Sequence, residues 1–125
     1  MIQCNCKNAG FFMNFTPLEQ EVLDWIASRT TDSNLQAQLK NVQPKEREVS
    51  DVGTFLDLKF DEAFKAEGKT STAANPIKGP DIKSTSLKNG AGSLVFIADG
   101  MISVLEIFAK DDTFPAKLSN YTLVS

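Results

Sequence analysis

A pair of apolar runs joined by an Asp-Gly dipeptide constrains the fold of this chain more than any other stretch. The runs lie within residues 90–108, which read GAGSLVFIADGMISVLEIF, and Asp99-Gly100 separates them. Asp-Gly favours the type I′ turn of a two-residue hairpin loop, because that turn requires positive φ at both central positions. The sequence therefore predicts a central antiparallel hairpin.

A two-residue loop at Asp99-Gly100 fixes the cross-strand partners of the predicted hairpin. Counting outward from the loop places Ile97 opposite Ile102 and Ser93 opposite Glu106. Both faces of the hairpin are then apolar, so we expect it to lie centrally in a sheet that is covered on both sides. Helices cover one face in this interpretation. A strongly curved sheet, a long loop or a second subunit covers the other.

The residues before the hairpin predict two helices. Thr16, Pro17 and Glu19 form a capping-box pattern with proline in the first turn, and an apolar stripe with helical spacing follows. A second capping-box pattern over residues 33–36 predicts a shorter helix that ends near Asn41. We interpret the two as a helical pair that covers a sheet.

Four strands and one loop are predicted around the hairpin. Residues 44–50 carry alternating charges after a proline, which is typical of an edge strand. Residues 54–60 alternate between apolar and polar side chains, and residues 82–87 and 121–124 have strand character. Residues 65–81 contain glycine, proline and few large apolar side chains, so we predict a flexible loop that either forms a lid or is disordered.

Together these elements predict an α+β fold, with an N-terminal helical pair packed on a five- to six-stranded, mostly antiparallel, curved sheet. The 125 residues are sized for one domain, which we assign to residues 16–125. Residues 1–15 are predicted to be an N-terminal extension, and translation of the native protein is hypothesised to begin at Met13. Cys4 and Cys6 lie in this extension and are expected to be a free pair without a redox or metal role.

The absence of histidine restricts the chemistry of the chain. It removes Ser-His-Asp and Cys-His catalysis and every zinc site that uses imidazole. The net charge of −3 argues against binding of duplex nucleic acid, and no apolar run reaches the ~20 residues that span a bilayer. We therefore expect a soluble, cytoplasmic protein without cofactor, catalytic residues, bound metal, nucleic-acid partner or membrane partner.

Glu106 is the strongest candidate for a functional side chain, because it is the one charged residue in the second run of the hairpin. A carboxylate buried there must be paired, hydrogen-bonded or raised in pKa. Arg47 is a candidate partner, Ser93 lies opposite in the predicted pairing, and Asp57 lies on a neighbouring strand. These residues form the predicted ligand-binding set: Glu106, Arg47, Asp57 and Ser93. The alternative is a glutamate at the sheet margin that contacts water or Arg47.

Two other patterns carry weaker signals. Residues 89–93 read NGAGS, but they lack the spacing of a phosphate-binding loop and lead into a strand. Their glycines indicate a turn, a bulge or the close approach of another backbone. Asp111 and Asp112 lack the spacing of an EF-hand, so solvated carboxylates are expected rather than a cation site.

The hairpin and its flanks resemble a family of small uncharacterised bacterial proteins. The resemblance is carried by Arg47-Glu48, Val52–Phe55, Asp57, a core of the form GAGxLxFxxDGxIxxLExF and a later Phe114-Pro115. It extends in pattern over residues 16–124. Ile107-Phe108 depart from the family, which has a glycine-aromatic pair after the glutamate. The resemblance implies a bacterial protein, but it implies no activity.

Two hypotheses for the function follow from the sequence. The first is a non-catalytic binding or interaction module, in which a homodimer covers the second face of the sheet or an unknown protein or small molecule is bound. The second is a small-ligand binder or a carboxylate-dependent enzyme. Its pocket lies near Glu106, Arg47 and Asp57, with residues 65–81 as a lid.

Overall fold

Three helices and a seven-stranded sheet make up the described part of the chain. The computed structural model of the protein describes residues 13–72, 74–111, 113–115, 118 and 120–125. The helices are α1 (Pro17–Arg29), α2 (Ser33–Asn41) and α3 (Glu62–Glu67). The strands are β1 (Gln43–Ser50), β2 (Gly53–Lys59), β3 (Ile77–Lys78), β4 (Asp81–Lys83), β5 (Ala91–Ala98), β6 (Met101–Ala109) and β7 (Thr122–Val124).

The sheet is antiparallel at every pair of described strands, and β5 and β6 lie at its centre. The order is β1-β2-β6-β5-β4-β7, and β3 also pairs with β5. Asp99 and Gly100 join the central pair with φ of 53° and 79°, as a two-residue hairpin turn requires. The predicted α+β fold with a curved, mostly antiparallel sheet is confirmed.

The segment 65–81, predicted to be a flexible loop, overlaps three regular elements. It begins within α3, β3 lies near its end, and its last residue, Asp81, begins β4. Ile77 pairs with Val95, and Lys78 pairs with Leu94. The described strands therefore number one or two more than the sequence predicts, because a strand of two residues is too short to give a periodic signal.

Helix α1 begins as the sequence predicts. The Glu19 amide donates to Thr16 Oγ1 at 3.1 Å, and the Thr16 amide donates to Glu19 Oε1 at 2.9 Å. Helix α2 begins differently, since Asp32 and not Ser33 is its N-cap residue. The carboxylate of Asp32 accepts two backbone N–H groups of the first turn, and the hydrogen bond from the Thr70 hydroxyl is the main cause that lowers its pKa. The prediction for this cap was wrong by one residue.

A β-bulge at Ser103 shifts the register of the central hairpin. Ile97 lies opposite Ile102 as predicted, but Phe96 lies opposite Val104 instead of Ser103. The Ser103 hydroxyl donates to the Phe96 carbonyl oxygen at 3.2 Å. The extra residue at this point was not recognisable from the sequence, because both alternating sets of side chains beyond it on β6 are apolar apart from Glu106, so the pattern does not show which set is buried.

The bulge changes every pairing beyond it. Leu94 lies opposite Glu106, and Ser93 lies opposite Ile107. The predicted pairing of Ser93 with Glu106 was therefore wrong. The shift also places Leu105 and Ile107 on the buried face, where each is no more than 2% exposed.

The hydrophobic core lies between the helices and one face of the sheet, which we call the inner face. Half-buried Met13 and Phe15 also pack against this core. Cys4, Cys6 and the other residues of the predicted extension that precede Met13 lie outside the described residues, as does Asp112. None of the described helices has the length and apolar character to cross a membrane. The buried core residues are Leu18, Val22, Leu23, Ile26, Ala27, Leu35, Leu39, Val42, Leu56, Leu58, Phe60, Ile82, Leu87, Ala91, Val95, Ile102, Leu105 and Ile107.

Candidate functional site

The four predicted site residues lie on two different faces of the sheet. Arg47 pairs with the core residue Leu56, so its side chain extends to the inner face, and Ser93 is buried on the same face. Asp57 and Glu106 extend to the opposite face, which we call the outer face. The structure therefore brings Asp57 and Glu106 to one surface, and the sheet itself separates them from Arg47 and Ser93.

Arg47 binds the carboxylate of Glu19, a residue for which the sequence predicts only a role in the capping box of α1. Its Nε donates to Glu19 Oε2 at 2.8 Å, and its Nη2 donates to Glu19 Oε1 at 2.6 Å. The Glu19 side chain is only 3% exposed. The hydrogen bond to Glu19 raises the pKa of Arg47, while burial opposes the rise. Arg47 thus neutralises a buried glutamate through two parallel hydrogen bonds, the bidentate geometry in which arginine binds a carboxylate strongly.

Ser93 has a structural role in this arrangement. Its hydroxyl donates to the Pro80 carbonyl oxygen at 2.8 Å, and its own carbonyl accepts the Gly79 amide at 2.9 Å. These bonds hold the segment between β3 and β4 against β5. The hydroxyl is therefore satisfied without a ligand.

Apolar side chains form a continuous strip on the outer face, at the centre of the sheet. None of them packs on the core beneath the helices. Phe55 is 42% exposed, and the others are half-buried. The phenyl ring of Phe108 lies against Gly92, where a Cβ atom would come within 2.6 Å of the ring. The apolar strip consists of Phe55, Leu94, Phe96, Val104 and Phe108.

Glu106 lies within the apolar strip. Its cross-strand neighbours are Phe55 on β2 and Leu94 on β5. Among the described residues, no side chain or backbone group makes a hydrogen bond or ion pair with its carboxylate. Burial raises the pKa of Glu106, because the apolar neighbours displace water that would stabilise the charged form.

Charges of opposite sign flank the apolar strip. On the β1–β2 side, Glu48 lies opposite Phe55, and Glu46 lies opposite Asp57. We call Glu46, Glu48 and Asp57 the acidic edge, although Lys59 lies at one end of it. Lys78 and Lys83 lie on the β3–β4 side, and the side chain of Lys110, which follows β6, extends to Asp81 of β4. We call these three lysines the basic edge. There Lys110 Nζ lies 3.1 Å from Asp81 Oδ1.

One row of cross-strand partners crosses the whole outer face and summarises this pattern. In order from the acidic to the basic edge it reads Glu48, Phe55, Glu106, Leu94 and Lys78. Along this row the side chains are acidic at Glu48 and basic at Lys78, and those between them are apolar except for Glu106. This asymmetry could not be read from the sequence, because it depends on the register shift at the bulge.

No family model, no curated protein and no solved structure matches this chain. Within the described residues, no group of three or more histidine, cysteine, aspartate or glutamate side chains is arranged to hold a metal ion.

Proposed function

We propose that the protein is a non-catalytic interaction module that forms a homodimer through the outer face of its sheet. The observation that carries this proposal is the apolar strip between the acidic and the basic edge. Large apolar side chains in contiguous patches on a protein surface mark interaction sites. A second copy of the chain is the occupant because this surface is complementary to itself.

The charge pattern selects the symmetry of the dimer. A two-fold axis that runs parallel to the strands, between β5 and β6, reverses the order of the strands in the second copy. The acidic edge of one copy then faces the basic edge of the other, and the contact is repeated by symmetry. An axis perpendicular to the strands would instead place each edge over the same edge of the second copy. Repulsion between like charges disfavours that arrangement.

The row that crosses the outer face supports this choice of axis. With the axis between β5 and β6, Glu106 of one copy faces Leu94 of the second copy, and Phe55 faces Lys78. The ammonium group of Lys78 then lies over an aromatic ring and within one strand of Glu106. Cation–π attraction and neutralisation of the half-buried carboxylate both favour this contact.

The area of the outer face limits the strength of the dimer. A strand spacing of about 4.8 Å and a rise of about 3.3 Å per residue give a contact of about 500 Å² per copy. The total of about 1,000 Å² is near the lower limit for a specific interface, so we expect a dissociation constant in the micromolar range. Aligned packing of two sheets is a common arrangement in proteins, with the strands of the two sheets about 30° apart.

Sedimentation equilibrium over a micromolar concentration series tests the proposal. We expect the wild-type protein to approach twice its chain mass of 13.7 kDa. Phe55→Lys should weaken the dimer more than about tenfold, because the new charge faces Lys78 of the second copy. Val52→Lys is the matched control, since Val52 is 58% exposed in the turn before β2 and outside the apolar strip. A wild-type protein that stays monomeric throughout would contradict the proposal.

A further inference from the structure

A cavity of about 410 Å³ lies on the other side of the sheet, at the beginning of α1. Residues of β1, β2 and β6 on the inner face line it, together with four residues that precede β7 in the chain: Phe114, Pro115, Leu118 and Tyr121. We call it the inner cavity. Its walls are mostly apolar, with Pro17, Leu18, Ile107, Phe114, Leu118 and Tyr121 among them. A volume of this size is in the range of small-molecule sites.

The charged side chains that line the inner cavity are Glu19 and Arg47, and Thr16, Thr54 and Tyr121 add hydroxyl groups. Both carboxylate oxygens of Glu19 already accept hydrogen bonds, from Arg47 and from the Thr16 amide. Arg47 uses Nε and Nη2 for Glu19, and Nη2 also donates to the Asn14 carbonyl oxygen at 3.1 Å. The Nη1 group of Arg47 has no hydrogen bond to any residue in the described part of the chain.

This arrangement selects the chemical class of a ligand. The Nη1 group is a donor and requires an acceptor oxygen. A carboxylate or phosphate is disfavoured, because the guanidinium is already neutralised by Glu19 and a second anion would be repelled by it. A cation is disfavoured by Arg47 itself. The remaining walls offer mainly apolar contact.

We propose that the inner cavity binds a small, uncharged, largely apolar molecule through one acceptor oxygen that receives a hydrogen bond from Arg47 Nη1. This site is independent of the proposed dimer, because the inner cavity and the outer face lie on opposite sides of the sheet. Ketones, esters and amides with an aromatic or aliphatic body belong to this class.

Binding of two fluorescent probes to the native protein tests the site. Prodan is an uncharged naphthyl ketone, and phenylnaphthylamine has a similar apolar body without an oxygen acceptor. We expect Prodan to bind saturably at one site per chain and about tenfold more tightly than phenylnaphthylamine. The anionic probe anilinonaphthalene sulfonate should bind more weakly than Prodan. Absence of saturable Prodan binding, or tighter binding of the sulfonate, would overturn the proposal.

Two variants locate the bound probe. Val49 lies at the rim of the inner cavity and is 66% exposed, so Val49→Trp blocks the cavity without removing a core contact. It should weaken Prodan binding more than about tenfold. Val52→Trp is the control, because Val52 is similarly exposed and does not line the cavity. Equal Prodan affinity of Val49→Trp and the wild-type protein would refute the assignment of the probe to this cavity.

Arg47→Lys tests the role of the Nη1 group. The lysine retains a positive charge beside Glu19 but has no guanidinium and therefore no Nη1 group. We expect Prodan and phenylnaphthylamine to bind this variant with similar affinities, because the hydrogen bond to the ketone is lost. A preference for Prodan as large as that of the wild-type protein would contradict the proposed hydrogen bond.

Discussion

Replacement of Gln38 by leucine is expected to destabilise the fold through three lost hydrogen bonds. Gln38 is fully buried in α2 and contacts the turn of the central hairpin. Its Nε2 donates to the carbonyl oxygens of Gly68 and Gly100 at 2.6 and 2.8 Å, and its Oε1 accepts the Ile102 amide at 2.8 Å. Gly100 retains a second donor in the Thr70 amide. The substitution therefore leaves the Ile102 N–H and the Gly68 carbonyl without these partners.

The magnitude follows from these two groups. Each buried group that loses its partner costs about 1–3 kcal/mol, and burial of the leucine side chain offsets part of the sum, so we expect a net loss of about 2–4 kcal/mol in the free energy of unfolding. Urea unfolding followed by the fluorescence of Trp25, the one tryptophan of the chain, measures this loss.

Gln20→Leu is the matched control for this measurement. Gln20 is exposed on α1, and its side chain donates to Asp24 on the same helix. We expect its free energy of unfolding to change by no more than about 0.5 kcal/mol. Equal unfolding midpoints for Gln38→Leu and the wild-type protein would refute the reasoning.

Three further predictions concern charged and ionisable groups. Tyr121 is the single tyrosine of the chain, and burial together with its hydrogen bond to Glu21 raises its pKa to about 12. Absorbance titration should give this pKa for the wild-type protein and a lower pKa for Tyr121 in Glu21→Gln. A pKa of Tyr121 equal to that of free tyrosine would contradict the geometry. Glu48→Lys and Lys78→Glu should each weaken the dimer and together restore it in sedimentation experiments, whereas additive losses would argue against the proposed axis. The pKa of Glu106 is raised in the folded protein, so its neutral form contributes stability that is present below the unfolded pKa and is lost as the pH rises through the folded pKa. Urea unfolding should therefore give a larger free energy of unfolding below the unfolded pKa of Glu106 than above its folded pKa, and this dependence should be reduced in Glu106→Gln but not in Asp57→Asn, which keeps the Glu106 carboxylate.

The elements that the sequence predicts well are those specified by local chemistry. The capping box at Thr16 and Glu19 depends on residues three positions apart, and both of its hydrogen bonds are present in the structure. The turn at Asp99-Gly100 depends only on the backbone preferences of its two residues. Such signals do not require knowledge of the rest of the fold.

The features that were missed depend on contacts between distant parts of the chain. The bulge at Ser103 and the partnership of Gln38 with the hairpin turn leave no local pattern. The position of Glu19 on the buried face of α1 could have been read from the sequence. It lies three residues before Val22 and seven before Ile26, which is the spacing of the buried stripe. A charged residue in that position requires a buried partner, and Arg47 supplies it.

The most direct test of the dimer is an isotope-filtered nuclear Overhauser experiment on a mixture of labelled and unlabelled protein. It detects only protons that are close together in different copies. The proposed axis predicts contacts between the methyl groups of Val104 in one copy and Phe96 or Leu94 in the other, together with contacts between Phe55 and Lys78. Intermolecular contacts confined to the helices, or the absence of any such contacts at concentrations well above micromolar, would contradict the account.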